Sequence, residues 1–325
     1  MRIFVTGSIA FDYIMVFPGR FRDHILPDKM HVLSVSFLVD SLTRRRGGTG
    51  ANIAYNLGLL GEKPLLVGTV GDDFGEYRTW LESHGVDCHT VVVIAEEHTA
   101  SCFINTDLQD NQITAFYPGA MAHASSISLA DAGVTPSDMV LIAPNDPRAM
   151  NRYASECIES GIPYLYDPSM QLPRLERADL EKGCRGARIL AGNDYEFGMM
   201  SEKLGVSEAE LRRLVPITVM TRGEAGALIT VDQEEFEIPP AKPRAVVDPT
   251  GAGDAFRAGF ILGLKNGWPW PVVGRLAALT AVHAIEHPGP QQHSYTLEEF
   301  QARYSENFGS SPEVAALAGR HGPGR

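Results

Sequence analysis

The sequence predicts an α/β protein: a doubly wound, mostly parallel sheet flanked by helices, with a small β-sheet lid. Three observations carry this. From about residue 124 onward, short apolar runs alternate with helical stretches, the pattern of βαβ units and a parallel sheet. Polar residues recur just after those runs, where ligands sit in such sheets. Two early segments break the rhythm and read as extra β structure. At 325 residues, with 44% hydrophobic and 21% charged, the chain suits one large α/β domain and is too ordinary in composition for general disorder.

Taken in order, Met1 to Val5 read as a first strand, and Gly7, Ser8 and Asp12 follow too soon for a signal peptide. In 31–40, Leu33, Val35, Phe37 and Val39 alternate with Ser34, Ser36 and Leu38, which predicts a half-buried strand. Segments 99–106 and 112–117 flank the polar stretch 107–111 and predict a hairpin. Together these give a lid from about 10–45 and 97–118. Residues 139–143 (MVLIA) read as a buried strand, and 147–160 as a helix stopped by Gly161. Strands follow at 162–166, with Asp167 at its end, and at 188–191, with Asn193-Asp194-Tyr195-Glu196 after it. Ser207-Glu208-Ala209-Glu210 is a capping box opening another helix. Residues 217–220 form a further strand ending in Thr221-Arg222-Gly223. One domain over 1–318 is expected, with 319–325 a frayed tail.

Composition narrows the function. Lys plus Arg is 28 against 40 Asp plus Glu, a net charge of −12. An acidic surface argues against non-specific binding to nucleic acid or anionic membrane. No apolar run reaches the length of a membrane-spanning helix. Cys88, Cys102, Cys157 and Cys184 show no CxxC or zinc spacing and read as reduced thiols. A cytoplasmic location is the default. His84, His89 and His293 are isolated. His283 and His287 are four apart on a predicted helix, but Ala284 stands where HExxH needs Glu. All five read as surface or satisfied residues.

Two glycine clusters carry the chemistry. Gly47-Gly48-Thr49-Gly50 precedes a segment in which Ile53, Leu57 and Leu60 mark an amphipathic helix, stopped by Gly61. Such glycines let the backbone approach a ligand closely, and Asn52 in the first turn can bond hydroxyls. A turn serving only helix–sheet packing fits the loop equally well. A dinucleotide fingerprint fails, because Ile53 stands where a third glycine is needed. Asp248-Pro249-Thr250-Gly251-Ala252-Gly253-Asp254 precedes a helix over 255–264. Gly251, Ala252 and Gly253 can offer successive N–H groups to an anion at the helix N-terminus. A carboxylate at 254 would be repelled by that anion unless it has a task. The natural task is general base, taking a proton from a hydroxyl that attacks a phosphoryl group. Plain helix capping is the alternative. No GxxxxGK[ST] is present, so this is not a Walker-type loop.

The second cluster, continued by Ala255-Phe256, resembles the C-terminal signature of the ribokinase-like (PfkB) kinases. Gly47-Gly48 with Asn52 resembles that family's N-terminal glycine signature, and Asn193-x-x-Glu196 and Thr221-Arg222-Gly223 fall between them in the family's order. Segments 6–12, 17–21, 33–39 and 116–121 are similar to bacterial adenosine kinases, as are Asn145-Asp146-Pro147 and Asp167-Pro168-Ser169. The resemblance implies a ribokinase-like fold and ATP-dependent phosphorylation of the adenosine 5′-hydroxyl, giving AMP and ADP. It implies Asp254 as base, with the Gly251, Ala252 and Gly253 amides as an anion hole. Asp12 and Asn52 would hold the ribose hydroxyls, with Gly48 giving close approach. Ser8 and Ser36 would add polar contacts, Phe116 an aromatic wall, and Gln171 and Arg174 would approach the substrate. Asn193, Thr221, Arg222, Gly223 and Gly253 would line ATP. Glu196 would act on Mg2+ through water. Asp248 and Thr250 fit a monovalent-cation loop that would take K+.

Cys102 departs from the pattern, standing near where relatives carry a second lid phenylalanine. That departure weakens a strict adenosine preference; the rivals within the class are a kinase for ribose or fructose, or for another purine nucleoside such as inosine or guanosine. A non-catalytic nucleoside sensor is the rival of a different class, and intact Asp254 and 251–253 argue against it. The lid's exposed edges and apolar face suit pairing of two lids into a homodimer, an expectation resting on 33–39 and the hairpin.

Overall fold

The computed structural model describes residues 1–317; the expected frayed tail, 319–325, lies outside them. The chain opens with β1 (Ile3–Thr6), crosses into β2 (Ala10–Val16) and β3 (Ser41–Gly47), and enters helix α1 (Thr49–Leu59). β4 (Leu65–Val70), α2 (Gly75–Ser83), β5 (Val91–Val93), β6 (Ala100–Thr106) and β7 (Gln112–Tyr117) come next. Strands and helices then alternate: β8 (Met139–Ile142), α3 (Pro147–Ser160), β9 (Tyr164–Tyr166), α4 (Arg177–Gly186), β10 (Ile189–Asn193), α5 (Asp194–Leu204), α6 (Glu208–Arg213) and β11 (Ile217–Thr221). The hairpin β12 (Ala227–Val231) and β13 (Glu234–Ile238) precedes α7 (Ala252–Lys265), α8 (Trp270–Ile285), α9 (Leu297–Phe308) and α10 (Pro312–Ala315).

Among the described residues, nine strands form one sheet in the order β13-β12-β11-β10-β9-β8-β1-β4-β5. From β5 to β11 neighbours run parallel, and only β12 and β13 are antiparallel. β1, β4, β8 and β9 are buried along their whole length, as a sheet covered on both faces requires. The chain leaves β1 toward β4 and β5, then returns to β8 on the other side. That reversal opens a crevice at the strands' carboxyl ends. Ser8 N–H donates to the Pro144 carbonyl there at 2.8 Å.

α1 and α7 are buried on nearly every side, which places them inside the molecule and not on its surface. Small residues allow this. Gly259 is so close to α8 that a Cβ would lie 2.7 Å from Ala277 Cα. No helix of the described residues is long and apolar enough to cross a membrane, and the cysteines are free thiols.

A second sheet, in the order β3-β2-β6-β7, forms the lid. The expected hairpin is present as β6 and β7. The expected strand over 31–40 is not: Pro27–Val32 is 3-10 turns and 33–39 carries no strand pairing. Its alternation has another cause. Phe37 packs onto Phe17 and Phe21, with ring centroids 5.0 and 4.9 Å away, while Leu33 and Leu38 are exposed. The edge of β2 is taken instead by Ser41–Gly47 (SLTRRRG), in unbroken register from Ala10↔Gly47 to Val16↔Ser41. The lid therefore extends to Gly47, and the part of the dimer expectation that rested on 33–39 loses its strand.

Candidate active site

Two helix starts meet at the crevice. Gly48 precedes α1 with φ +91°, and a Cβ there would come within 2.6 Å of Ser8 O and Ala10 N. Only glycine fits. Ser8 Oγ accepts from Thr49 N–H at 2.9 Å, so the predicted substrate contact is also a helix cap. One turn into α1, buried Asn52 donates from Nδ2 to Asp254 Oδ2 at 2.8 Å, on the first turn of α7. Gly251, the residue before α7, holds φ +82°, and a Cβ there would lie 2.4 Å from Pro290 Cβ.

A buried charge cluster surrounds Asp254. Arg257 Nε lies 2.5 Å from Asp167 Oδ2, and both side chains are buried. The same guanidinium underlies the 251–253 loop, since a Cβ at Gly253 would be 2.5 Å from Arg257 Nη1. Burial pushes the Asp254 carboxyl up to about 6, against the Arg257 charge and the Asn52 hydrogen bond, with Glu196 adding to the rise. Burial pushes Asp167 up to about 7 against Arg257, with Glu196 and Asp254 adding to the rise.

The lid faces this cluster with one cross-strand row. Asp12 sits opposite Arg45 on β3 and Cys102 on β6, and Cys102 opposite Phe116 on β7. Directly opposed residues share a face. Arg45 Nη1 lies 3.2 Å from Asp248 Oδ2, which ties the row to the 248–254 loop. Burial pushes Asp12 up to about 6, opposed by Arg45 and reinforced by Asp248. Phe116 is 48% exposed, so its ring is open to a ligand.

Beyond the loop lies a mostly apolar cavity of about 590 Å³, with Thr221, Gly223, Pro249, Gly253, Phe256 and Val282 among its walls. A family model for the pfkB family of carbohydrate kinases matches residues 10–296. The chain belongs to that family. A nucleoside kinase of Methanothermobacter thermautotrophicus is 32% identical over 315 residues, covering 96% of this chain and 98% of its own. The nucleoside kinase of Burkholderia thailandensis in complex with inosine superposes with TM-score 0.85 at 37% identity, over 95% of this chain and 99% of its own. That of Methanocaldococcus jannaschii gives 0.80 at 27% identity, over 94% and 98%.

In this pfkB-family kinase, the geometry gathers most predicted residues and diverts a few. Asp12, Asn52, Gly251, Ala252, Gly253 and Asp254 converge. Thr221 and Gly223 line the cavity, but Arg222 is paired with Glu237. Asn193 and Glu196 form a capping box on α5: Glu196 Oε2 accepts from Asn193 N–H at 2.8 Å, and Oε1 from the Ser169 hydroxyl at 2.7 Å. A carboxylate held this way fits Mg2+ reached through water better than direct ligation. Asp248 is committed to Arg45 and to Thr250 N–H. A guanidinium already neutralises it, so the loop does not fit the K+ expectation. Buried Gln171 and exposed Arg174 contact each other at 3.5 Å on the turn after Asp167. Ser36 lies in the unpaired loop. His287 falls outside α8, which ends at Ile285, and its Nδ1 meets the His283 carbonyl. His293 is fully buried with Nε2 on Asn56 Oδ1 at 2.8 Å.

Sequence reading missed Arg45, Arg257 and Gln291. Arg257 alone left a signal: the one charge between Asp254 and Lys265, in an α7 stretch otherwise of Ala, Phe, Gly, Ile and Leu.

Proposed function

We propose that the protein is an ATP-dependent nucleoside kinase, transferring the γ-phosphoryl group to the 5′-hydroxyl of a purine nucleoside, adenosine among its acceptors. The carrying observation is the Asn52–Asp254 hydrogen bond, formed where two glycine-led helix starts meet beneath the lid row. Asp254, with its pKa near 6, is ionised at neutral pH yet basic enough to take the hydroxyl proton. The Gly251, Ala252 and Gly253 amides would stabilise charge on the transferred group. Asp12 and Asn52 would hold the ribose hydroxyls, rejecting acceptors that lack them. Phe116 would stack on the base, and lid closure would exclude water. ATP would occupy the cavity beside Thr221 and Gly223, with Glu196 holding Mg2+ through water; that ion neutralises phosphate charge.

Inosine is a second acceptor supported by a specific observation. The Burkholderia thailandensis relative was solved with inosine, and Cys102 opposite Phe116 leaves this lid row with a single aromatic ring. An exposed Phe116 ring suits the flat face of a base more than a bare sugar, which disfavours ribose or fructose.

The lid's opposite face carries Tyr13 stacked on Phe103 at 5.0 Å, with exposed Leu42 and Ile113 on the same face. This apolar face supports a homodimer through the lids. A monomeric mass by light scattering would reject that part.

The test is ADP release from Mg-ATP with adenosine, inosine, guanosine, ribose and fructose offered in parallel. Turnover with purine nucleosides and not with sugars is expected. Turnover with sugars alone would discard the reading of the lid, and none with any acceptor would favour a sensor.

A further inference from the structure

Residues 289–291 touch three parts of the site at once. A Cβ at Gly289 would sit 3.0 Å from Arg45 Cδ, and Pro290 lies against Gly251. Gln291, 1% exposed, donates from Nε2 to Asn52 Oδ1 at 2.9 Å and to the Tyr77 hydroxyl oxygen at 2.5 Å. Tyr77, fully buried, donates its own hydroxyl to the Gly47 carbonyl at 2.8 Å. The segment's register on α1 is fixed further along. Tyr55 O–H donates to the His293 carbonyl at 2.6 Å, and His293 Nε2 meets Asn56 Oδ1 at 2.8 Å.

An asparagine amide has one donating and one accepting end. With a donor on Oδ1, Asn52 must turn Nδ2 toward Asp254. Without that donor the amide can rotate and aim an oxygen at a carboxylate. We infer that Gln291 is a positioning residue: anchored by Tyr77, it fixes the Asn52 amide so that Asn52 holds Asp254 and the acceptor nucleoside in reacting geometry. A buried polar network is strong when complete and fragile when one member is removed. The Gln291 amide bonds Asn52 and Tyr77 and not Asp254, so it acts through Asn52.

This inference rests on the kinase reading above. The experiment measures kcat and KM for inosine and adenosine with Mg-ATP, in the full chain and in Gln291→Met and Gln291→Glu. Met keeps the bulk without a donor, and ionised Glu keeps the shape but can only accept. Both variants should raise nucleoside KM and lower kcat by about tenfold each, leaving KM for ATP unchanged. The acid limb of kcat/KM should move upward, because Asp254 loses the Asn52 hydrogen bond while Arg257 and Glu196 still face it. In an Asn52→Ala background, Gln291→Met should change nothing further. Wild-type constants in either Gln291 variant, or an equal loss in the Asn52→Ala background, would overturn the inference. Should both variants fail to fold, Tyr77→Phe, which frees one anchor of Gln291, should show the same split in smaller measure. Wild-type values there would overturn it equally. An inactive wild-type enzyme would instead overturn the kinase reading itself.

Discussion

Gly251→Ala puts the geometry of the proposed anion hole under direct strain. At φ +82° an L-residue pays roughly 1–2 kcal/mol for the left-handed backbone. The new methyl carbon would also stand 2.4 Å from Pro290 Cβ, where carbon atoms prefer about 3.5–4.0 Å. The loop or Pro290 must therefore move by about 1 Å. The loop carries the 251–253 amides and, three residues on, Asp254. A misplacement of about 1 Å in such a constellation costs on the order of 10²-fold in rate. Steady-state ADP release should show kcat down by about 10²-fold. The melting temperature should fall only by roughly 1.5–3 °C for 1–2 kcal/mol of strain. Gly267→Ala is the control, since Gly267 holds φ +66° with nothing within 4 Å of a Cβ. It should lose comparable stability and keep its kcat. A Gly251→Ala enzyme with near-native kcat, or a Gly267→Ala enzyme equally slowed, would refute the reasoning.

Three further outcomes follow from the same geometry. If Asp254 is the base it must be unprotonated to work, and burial raises its pKa to about 6, so kcat/KM should fall as pH drops through about 6; a limb near 4, the ordinary carboxylate range, would contradict this. Because Arg45 already neutralises Asp248, replacing potassium by choline should leave kcat unchanged, and severalfold activation by potassium would show that a cation does enter the loop. Phe116→Ala should raise nucleoside KM by about 5- to 150-fold, from roughly 1–3 kcal/mol of base stacking; an unchanged KM would remove Phe116 from the base site.

The main sheet was readable because its strands are locally apolar and its helices locally punctuated: Pro147–Ser160 starts at a proline and stops at Gly161. The lid was harder. Ser41–Gly47 carries three consecutive arginines and no alternation, and its strand character comes from pairing with β2. Residues 33–39 do alternate, but Phe37 serves an aromatic cluster and not a sheet face. The two glycine-led helix starts each announce themselves within a few residues. The bond that joins them spans 202 positions, and no local pattern can show it. Arg45 and Gln291 were invisible for the same reason, since their partners Asp248 and Asn52 lie 203 and 239 positions away. Asp248 looked like a cation ligand only while Arg45 was unplaced.

The central claim is that Asp254 takes the acceptor's proton during transfer. Rapid-quench single turnover of Mg-ATP with a purine nucleoside tests it most directly, comparing wild type with Asp254→Asn alongside nucleoside affinity by calorimetry. The predicted result is a transfer rate lower by about 10²–10⁴-fold with the nucleoside still bound. Transfer at close to the wild-type rate in Asp254→Asn would contradict it.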